Sequence, residues 1–272
     1  MQEQSRGWVG RKLPLWVAAF MLALLAACAG TGQGADRRDI ATASDQTDAD
    51  RRANVRLELA AAYFGRGQNS TALDEVKQAL QADPNLVDGY NLRGLIYGAM
   101  SENGLAEESF RRALQLDARN GGTLHNYGWF LCQRGRYGEA EQQFGQALSQ
   151  PGYLDMPRTL LAQGVCQARN SQWAESERSL SRAYELDPAN PATAMNLSEL
   201  LYRRGEFERA RFYVRRVNSV ENLVNAQTLW LAARIENKLG QTAQVQTLGS
   251  QLRDRYPQSA ESLQFEKGLF DE

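Results

Sequence analysis

The sequence predicts an all-α fold, a solenoid of six helix–turn–helix units closed by a C-terminal capping helix. Three observations predict it. Six segments begin at Ala53, Val87, Gly121, Pro157, Pro191 and Ala226, at intervals of 34, 34, 36, 34 and 35 residues, and a period in this range marks a repeat architecture. Small residues recur at matching positions of each segment. Six prolines after the N-terminal region (Pro84, Pro151, Pro157, Pro188, Pro191, Pro257) fall at segment boundaries or in one insertion, where a residue without an N–H is tolerated.

The elements follow in chain order. Residues 1–12 carry Arg6, Arg11 and Lys12 against one acid, Glu3, and residues 13–27 carry no charge. A basic start and an apolar run too short for the ~18–20 residues of a membrane span read as an export signal over residues 1–27. The run ends in Leu25-Ala26-Ala27-Cys28, which resembles the bacterial lipobox. That resemblance implies cleavage before Cys28 and a lipid on its sulfur; the alternative is an ordinary export signal with an unmodified Cys28. Several acyl chains, each CH₂ contributing ~0.8 kcal/mol, hold a protein on a membrane without a spanning helix. Ala29 stands where an Asp would resemble an inner-membrane retention signal, so the resemblance implies the outer membrane and its periplasmic face. Residues 28–52 are rich in Gly, Ala, Thr and Asp and bury no face, so they read as a flexible tether spanning roughly 25–30 Å.

Six repeats occupy residues 53–259, as 53–86, 87–120, 121–156, 157–190, 191–225 and 226–259. Position eight is Ala60, Gly94, Gly128, Gly164, Ser198 and Ala233. Position twenty is Ala72, Ala106, Ala140, Ser176, Ala210 and Val245, and position twenty-seven is Ala79, Ala113, Ala147, Ala183, Val217 and Leu252. Small residues there let two antiparallel helices approach closely, while larger ones such as Tyr63, Tyr97, Phe110 and Phe144 fill the gaps. The third repeat is two residues longer, and Gln150-Pro151-Gly152-Tyr153 breaks its second helix. The sixth diverges, with Val245 and Gly249 at two of the recurring positions. Residues 260–272 carry Leu263, Phe265, Leu269 and Phe270 and are expected to form a helix over the last repeat, since a solenoid's terminal face is otherwise apolar. The whole pattern resembles the tetratricopeptide repeat, which implies a right-handed superhelical solenoid.

Composition and motifs exclude most chemistry. The chain has 31 basic and 32 acidic residues, a net charge of −1, so no bulk basic field is available for nucleic acid. Without residues 1–27 the counts are 28 and 31, a net charge of −3. One histidine and three cysteines cannot build a multi-histidine or four-cysteine metal site. No nucleophile elbow, paired-histidine zinc helix or phosphate loop occurs. Carboxylates sit at helical spacing beside arginines, as in Glu107-Glu108 with Arg111-Arg112, and read as solvated ion-paired faces. The six arginines between Arg203 and Arg216, interrupted by Glu206 and Glu208, read the same way, with an acidic partner surface as the alternative. The chain is therefore not expected to be an enzyme, to hold a cofactor beyond the lipid on Cys28, or to bind a small-molecule substrate.

The tetratricopeptide resemblance implies an inner groove lined by positions 2, 5, 9, 12 and 13 of the first helices. Carried over, these give Leu57, Ala61 and Phe64, then Asn91 and Leu95, His125 and Trp129, Leu161 and Val165, Met195 and Tyr202, and Trp230 and Arg234. An apolar and aromatic groove suits an extended segment or amphipathic helix of a partner protein. Cys132 and Cys166 fall on first helices of adjacent repeats. In an oxidising compartment they are expected to form a disulfide closing a loop of about 34 residues and contributing ~4 kcal/mol; two buried thiols are the alternative.

A lipobox, a tether, six such repeats and cysteines in the third and fourth together resemble the PilF/PilW family of type IV pilus biogenesis lipoproteins over the whole chain. The resemblance implies a pilotin: a lipid-anchored protein that binds the pilus secretin subunit, carries it to the outer membrane and promotes its multimerisation. The alternative is a repeat scaffold subunit of another outer-membrane assembly machine, such as that for β-barrel assembly, whose lipoprotein resembles a five-repeat array.

Overall fold

The structure, a computed structural model, describes residues 47–270. Cys28, residues 1–27 and the tether as far as residue 46 lie outside the described residues. Among the described residues the chain is entirely helical apart from its connections, and no helix is long and apolar enough to cross a membrane. Twelve helices pair as six hairpins. These are α1 (Asp48–Gly65) with α2 (Asn69–Ala82), α3 (Val87–Ala99) with α4 (Asn103–Leu116), and α5 (Gly121–Gln133) with α6 (Tyr137–Leu148). They continue with α7 (Met156–Arg169) and α8 (Trp173–Leu186), α9 (Pro191–Arg203) and α10 (Phe207–Asn218), and α11 (Ala226–Lys238) and α12 (Thr242–Arg255). A short α13 (Ala260–Glu266) packs on α11 and α12.

The first helix starts earlier than the composition of its N-terminal turn suggested. The tether was expected to run to residue 52, but α1 begins at Asp48. Thr47 accepts a hydrogen bond from the Asp50 amide while the Asp50 carboxylate accepts from the Thr47 amide. This reciprocal cap, with Asp48 and Asp50 against the positive helix end, recruits the last tether residues into helix.

Inside each hairpin the closest approach is a trade between positions eight and twenty-four. A Cβ on Gly94 would lie 2.8 Å from the Phe110 ring, one on Gly128 2.9 Å from the Phe144 ring, and one on Gly164 2.6 Å from Leu180. In the first and fifth repeats the residues at these positions are Ala60 with Val76 and Ser198 with Val214; the sixth departs, with Ala233 and Gly249. In the first five repeats a larger residue on the second helix is met by a smaller one on the first, which lets the helices approach at interior packing density. The two serines at small positions are fully buried, and each donates across its own hairpin. Ser176 Oγ donates to the Gly164 carbonyl and Ser198 Oγ to the Ala210 carbonyl, both at 2.8 Å. Each hydroxyl thus finds an acceptor across its own hairpin.

Every hairpin turns through one left-handed residue at position fifteen. Gly67, Gly135, Gly205 and Gly240 have φ of 74°, 73°, 78° and 70°, and Ser101 and Ser171 take the same conformation at 65° and 58°. The following amide returns to the first helix, as from Gln68 to the Tyr63 carbonyl at 3.0 Å, and satisfies a carbonyl that the helix end leaves free.

The hairpins stack through each second helix onto the next first helix. Consecutive first helices also touch along the array, whereas consecutive second helices make no comparable contact. The array therefore bends toward its first helices, which form its inner surface. Ion pairs join neighbouring repeats: Arg136 to Glu107 at 2.7 Å, Arg209 to Glu177 at 2.7 Å, and Arg215 to the buried Glu236 at 2.7 Å. Five of the six arginines between Arg203 and Arg216 hold a carboxylate, and Arg216 lies over the Tyr184 ring.

The cap differs from a single helix over residues 260–272. Helix α13 ends at Glu266, because Gly268 is left-handed (φ 68°) and the Gly268 and Leu269 amides return to the Phe265 and Gln264 carbonyls. Of the cap's apolar residues Leu263, Phe265, Leu269 and Phe270, Phe265 is the buried one, and a Cβ on Gly249 would lie 1.9 Å from its ring. Gly249 is thus the socket for the cap, which accounts for its departure from the larger residues at position twenty-four.

Candidate partner-binding groove

The inner surface is built from α1, α3, α5, α7, α9 and α11, and the expected groove residues divide into open, tied and covered groups. In α1, Leu57 and Phe64 are half-buried against the core of the first hairpin, and Ala61 is exposed. In α3, Asn91 accepts a hydrogen bond from Asn126 Nδ2 at 3.1 Å, and Leu95 packs on the Phe110–Phe130 cluster. Trp129 carries the Arg169 guanidinium over its ring at 5.1 Å, a cation–π contact between repeats three and four. Leu161 is half-buried on the core of repeats four and five.

Val165 and Met195 line open troughs. One, of about 300 Å³, runs between α7 and α9, lined by Val165, Arg169, Trp173, Asn196, Glu199 and Arg203 among others. The next, of about 290 Å³, runs between α9 and α11, lined by Met195, Asn196, Glu199, Gln227, Trp230 and Arg234. Asn196 and Glu199 border both, so the two adjoin along the inner surface. Glu199 holds Arg203 at 3.0 Å on one side and Arg234 at 4.0 Å on the other. The troughs therefore mix apolar side chains with amide and charged groups, the mix that orients a bound peptide.

Three expected groove residues are buried rather than open: His125 lies in the core, and Tyr202 and Trp230 lie beneath the C-terminal segment. His125 is buried at 5% exposure. Its Nδ1 lies 2.9 Å from Thr159 Oγ1, which shares a hydrogen bond of 2.7 Å with the Tyr153 hydroxyl. A Cβ on Gly121 would lie 2.5 Å from the Tyr153 ring, so the insertion in repeat three folds its tyrosine back onto α5 beside His125. Burial, then the Arg158 charge, pushes the imidazole pKa down to about 4, and it is a neutral core group rather than a groove residue. Tyr202 and Trp230 are also buried, at 8% and 6%. The chain's own C-terminal segment covers them: Tyr202 donates to the Phe270 carbonyl at 3.2 Å, and the Phe270 ring lies 5.3 Å from that of Trp230. Arg234, half-buried, donates through Nε to the same carbonyl at 3.3 Å.

Reading for apolar side chains missed the polar trough residues. Gln227, Glu199 and Arg169 occupy positions 2, 9 and 13, positions the repeat pattern already directs inward, so position was the usable signal. Cys132 and Cys166 are joined by a disulfide, with Cα atoms 5.8 Å apart, between α5 and α7. Among the described residues no cluster of His, Cys, Asp and Glu could hold a metal ion.

Comparison with known proteins agrees with this geometry. Tetratricopeptide-repeat families match residues 87–120 and 121–149. Over 249 residues the chain is 26% identical to the type IV pilus assembly protein PilF of Pseudomonas aeruginosa, covering 92% of this chain and 97% of that one. A solved structure from the functional characterisation of P. aeruginosa PilF superposes with a TM-score of 0.70 at 27% identity, covering 82% of this chain and all of that one. That of PilW, described as a widely conserved type IV pilus biogenesis factor, superposes with a TM-score of 0.72 at 29% identity, covering 78% of this chain and 96% of that one.

Proposed function

We propose, from the premise that this chain is a tetratricopeptide-repeat homologue of the type IV pilus biogenesis proteins PilF and PilW, that it is an outer-membrane lipoprotein acting as a pilotin. In this reading a lipid on Cys28 holds it on the periplasmic face, the tether supplies reach, and the inner groove grips the pilus secretin subunit. The protein delivers that subunit to the outer membrane and promotes its assembly into multimers. The observation that carries the reading is the extent of the likeness, which runs through all six repeats and nearly the full length of the P. aeruginosa relative. The adjoining troughs from Val165 to Arg234 support a peptide grip. No bond is made or broken: the activity is binding, with no cofactor beyond the lipid, no small-molecule substrate and no nucleic acid.

Changing the anchor tests delivery. Cys28→Ala is expected to leave the repeats folded but release the protein into the periplasm, with secretin multimers mislocalised. Normal fractionation with the outer membrane and normal secretin placement in that variant would remove the lipid from the mechanism. Charge substitutions at Leu57 and Phe64 are expected to weaken secretin capture at unchanged helicity. Deleting the gene is expected to abolish secretin multimers and twitching motility while outer-membrane protein levels stay normal. A general envelope defect with intact secretin rings would instead favour a scaffold in another outer-membrane assembly machine.

A further inference from the structure

The segment from Gly268 to Phe270 lies on the inner surface of repeats five and six. The left-handed Gly268 ends α13 and turns the chain back over α9 and α11. There the Phe270 carbonyl accepts from both Tyr202 and Arg234. The Phe270 ring sits 5.3 Å from Trp230 and 5.7 Å from Phe265. The Arg234 guanidinium lies over the Tyr202 ring at 4.4 Å, which holds the two donors together. Tyr202, Arg234 and Trp230 occupy positions 12, 9 and 5 of their helices, the inward positions that elsewhere in the array border open troughs.

Phe270 packs at the margin of the C-terminal core, and its main-chain and ring contacts are those a bound peptide makes. A phenol and a guanidinium take one main-chain carbonyl, and an indole takes one aromatic side chain. A core residue is enclosed on all sides, whereas Phe270 is half-exposed and borders open space. The 290 Å³ trough reaches Trp230 and Arg234, and a cavity of about 470 Å³ is lined by Phe270 itself with Phe265 and Gln241.

We propose that this patch is a binding subsite for an extended partner segment that lays an aromatic side chain on Trp230 and offers a main-chain carbonyl to Tyr202 and Arg234. Phe270 of the chain itself fills the subsite until such a segment displaces it. The inference rests on the groove reading above and deepens it, naming the chemistry the C-terminal half of the groove selects. Because the tail and the partner exclude each other, the affinity observed for the partner is scaled down by the fraction of molecules whose tail is released.

The test uses the chain's own tail as probe. A chain lacking residues 268–272 is titrated with a synthetic peptide of residues 264–270, following the indole N–H resonance of Trp230, with Trp129 as internal reference. The truncated chain is expected to bind the peptide saturably, moving Trp230 back toward its position in the full chain. The full chain is expected to bind the same peptide at least tenfold more weakly, and Tyr202→Phe in the truncated chain to weaken it several-fold. A truncated chain of unchanged helicity that ignores the peptide, or full and truncated chains that bind it equally, would overturn the proposal. Should truncation unfold the chain, Phe270→Ala in the full-length protein serves in its place; peptide binding no stronger than to the unmodified chain would overturn the proposal equally. The secretin takes no part, so a chain that admits the peptide but never a secretin fragment would retain the subsite and refute the pilotin reading alone.

Discussion

His125 shows how a single side chain couples this fold to pH. Burial and the Arg158 charge lower its pKa to about 4 in the folded protein, against about 6.5 in an unfolded chain. Between those values the unfolded chain binds a proton that the folded one refuses, so stability rises with pH. The contribution is fully present above about pH 6.5 and is lost as pH falls toward 4, with a slope of about 1 kcal/mol per pH unit. His125→Asn is expected to flatten this slope; urea melts at pH 6.5 and 4.5 should show a smaller loss in the variant, and an identical loss would contradict the burial argument. Ser101 and Ser171 are the second case. Both hold the left-handed turn conformation that glycine supplies in the other four hairpins, and a side chain there costs roughly 1–2 kcal/mol. Part of the gain on removing it is offset by the greater freedom of unfolded glycine. Ser101→Gly and Ser171→Gly are each expected to stabilise by about 0.5–1 kcal/mol, visible as a raised denaturation midpoint at an unchanged denaturant slope.

Within a hairpin the two helices constrain each other through one pair of positions. Gly128→Ala should destabilise by about 1–3 kcal/mol, because its new methyl meets the buried Phe144 ring. Adding Phe144→Val recreates the Ala60–Val76 pairing of the first repeat, so the double variant should lose less than the sum of the single losses. A coupling of about 1 kcal/mol or more in the cycle is the expected result, and strict additivity would mean that the two positions do not set the helix spacing. This pairing explains what the sequence made legible. A small residue every repeat length is a local pattern stated six times, so the hairpins and their order could be read without coordinates. The groove was legible only as a set of positions. His125 stands at an inward position, yet Tyr153 from the insertion folds over its helix, and nothing in the spacing announces that. The covering of Tyr202 by Phe270 joins residues 68 apart in sequence. Its one local trace is Gly268, a helix-stopping glycine just before the two large apolar residues.

At the scale of the whole array, each hairpin touches only its neighbours, and stability is a sum of repeat terms and interface terms. Cooperativity is then limited by the weakest interface. The junction of repeats three and four carries the insertion, and it also carries the most varied fastening. The Cys132–Cys166 disulfide crosses it, Gln163 and Gln167 donate to Glu141, and the Arg169 guanidinium lies over Trp129. The crosslink closes a loop with a sequence separation of 34, which on chain-entropy grounds is worth about 4 kcal/mol. Removing it should therefore do more than lower stability uniformly. Cys132→Ala with Cys166→Ala is expected to lower the urea midpoint and to split unfolding into two steps, as repeats one to three and four to six lose their common cooperativity. Circular dichroism and the indole N–H resonance of Trp230, which reports only the C-terminal half, should then cease to coincide. Coincident transitions at an unchanged midpoint would show that packing and the polar contacts alone bind the halves, and that the disulfide adds nothing to an interface already complete. The distinction matters for the groove, because the troughs lined by Val165, Glu199 and Arg234 lie wholly on one side of that junction while Leu57 and Phe64 lie on the other. A partner segment long enough to reach both can be gripped as one ligand only if the two halves hold a fixed geometry.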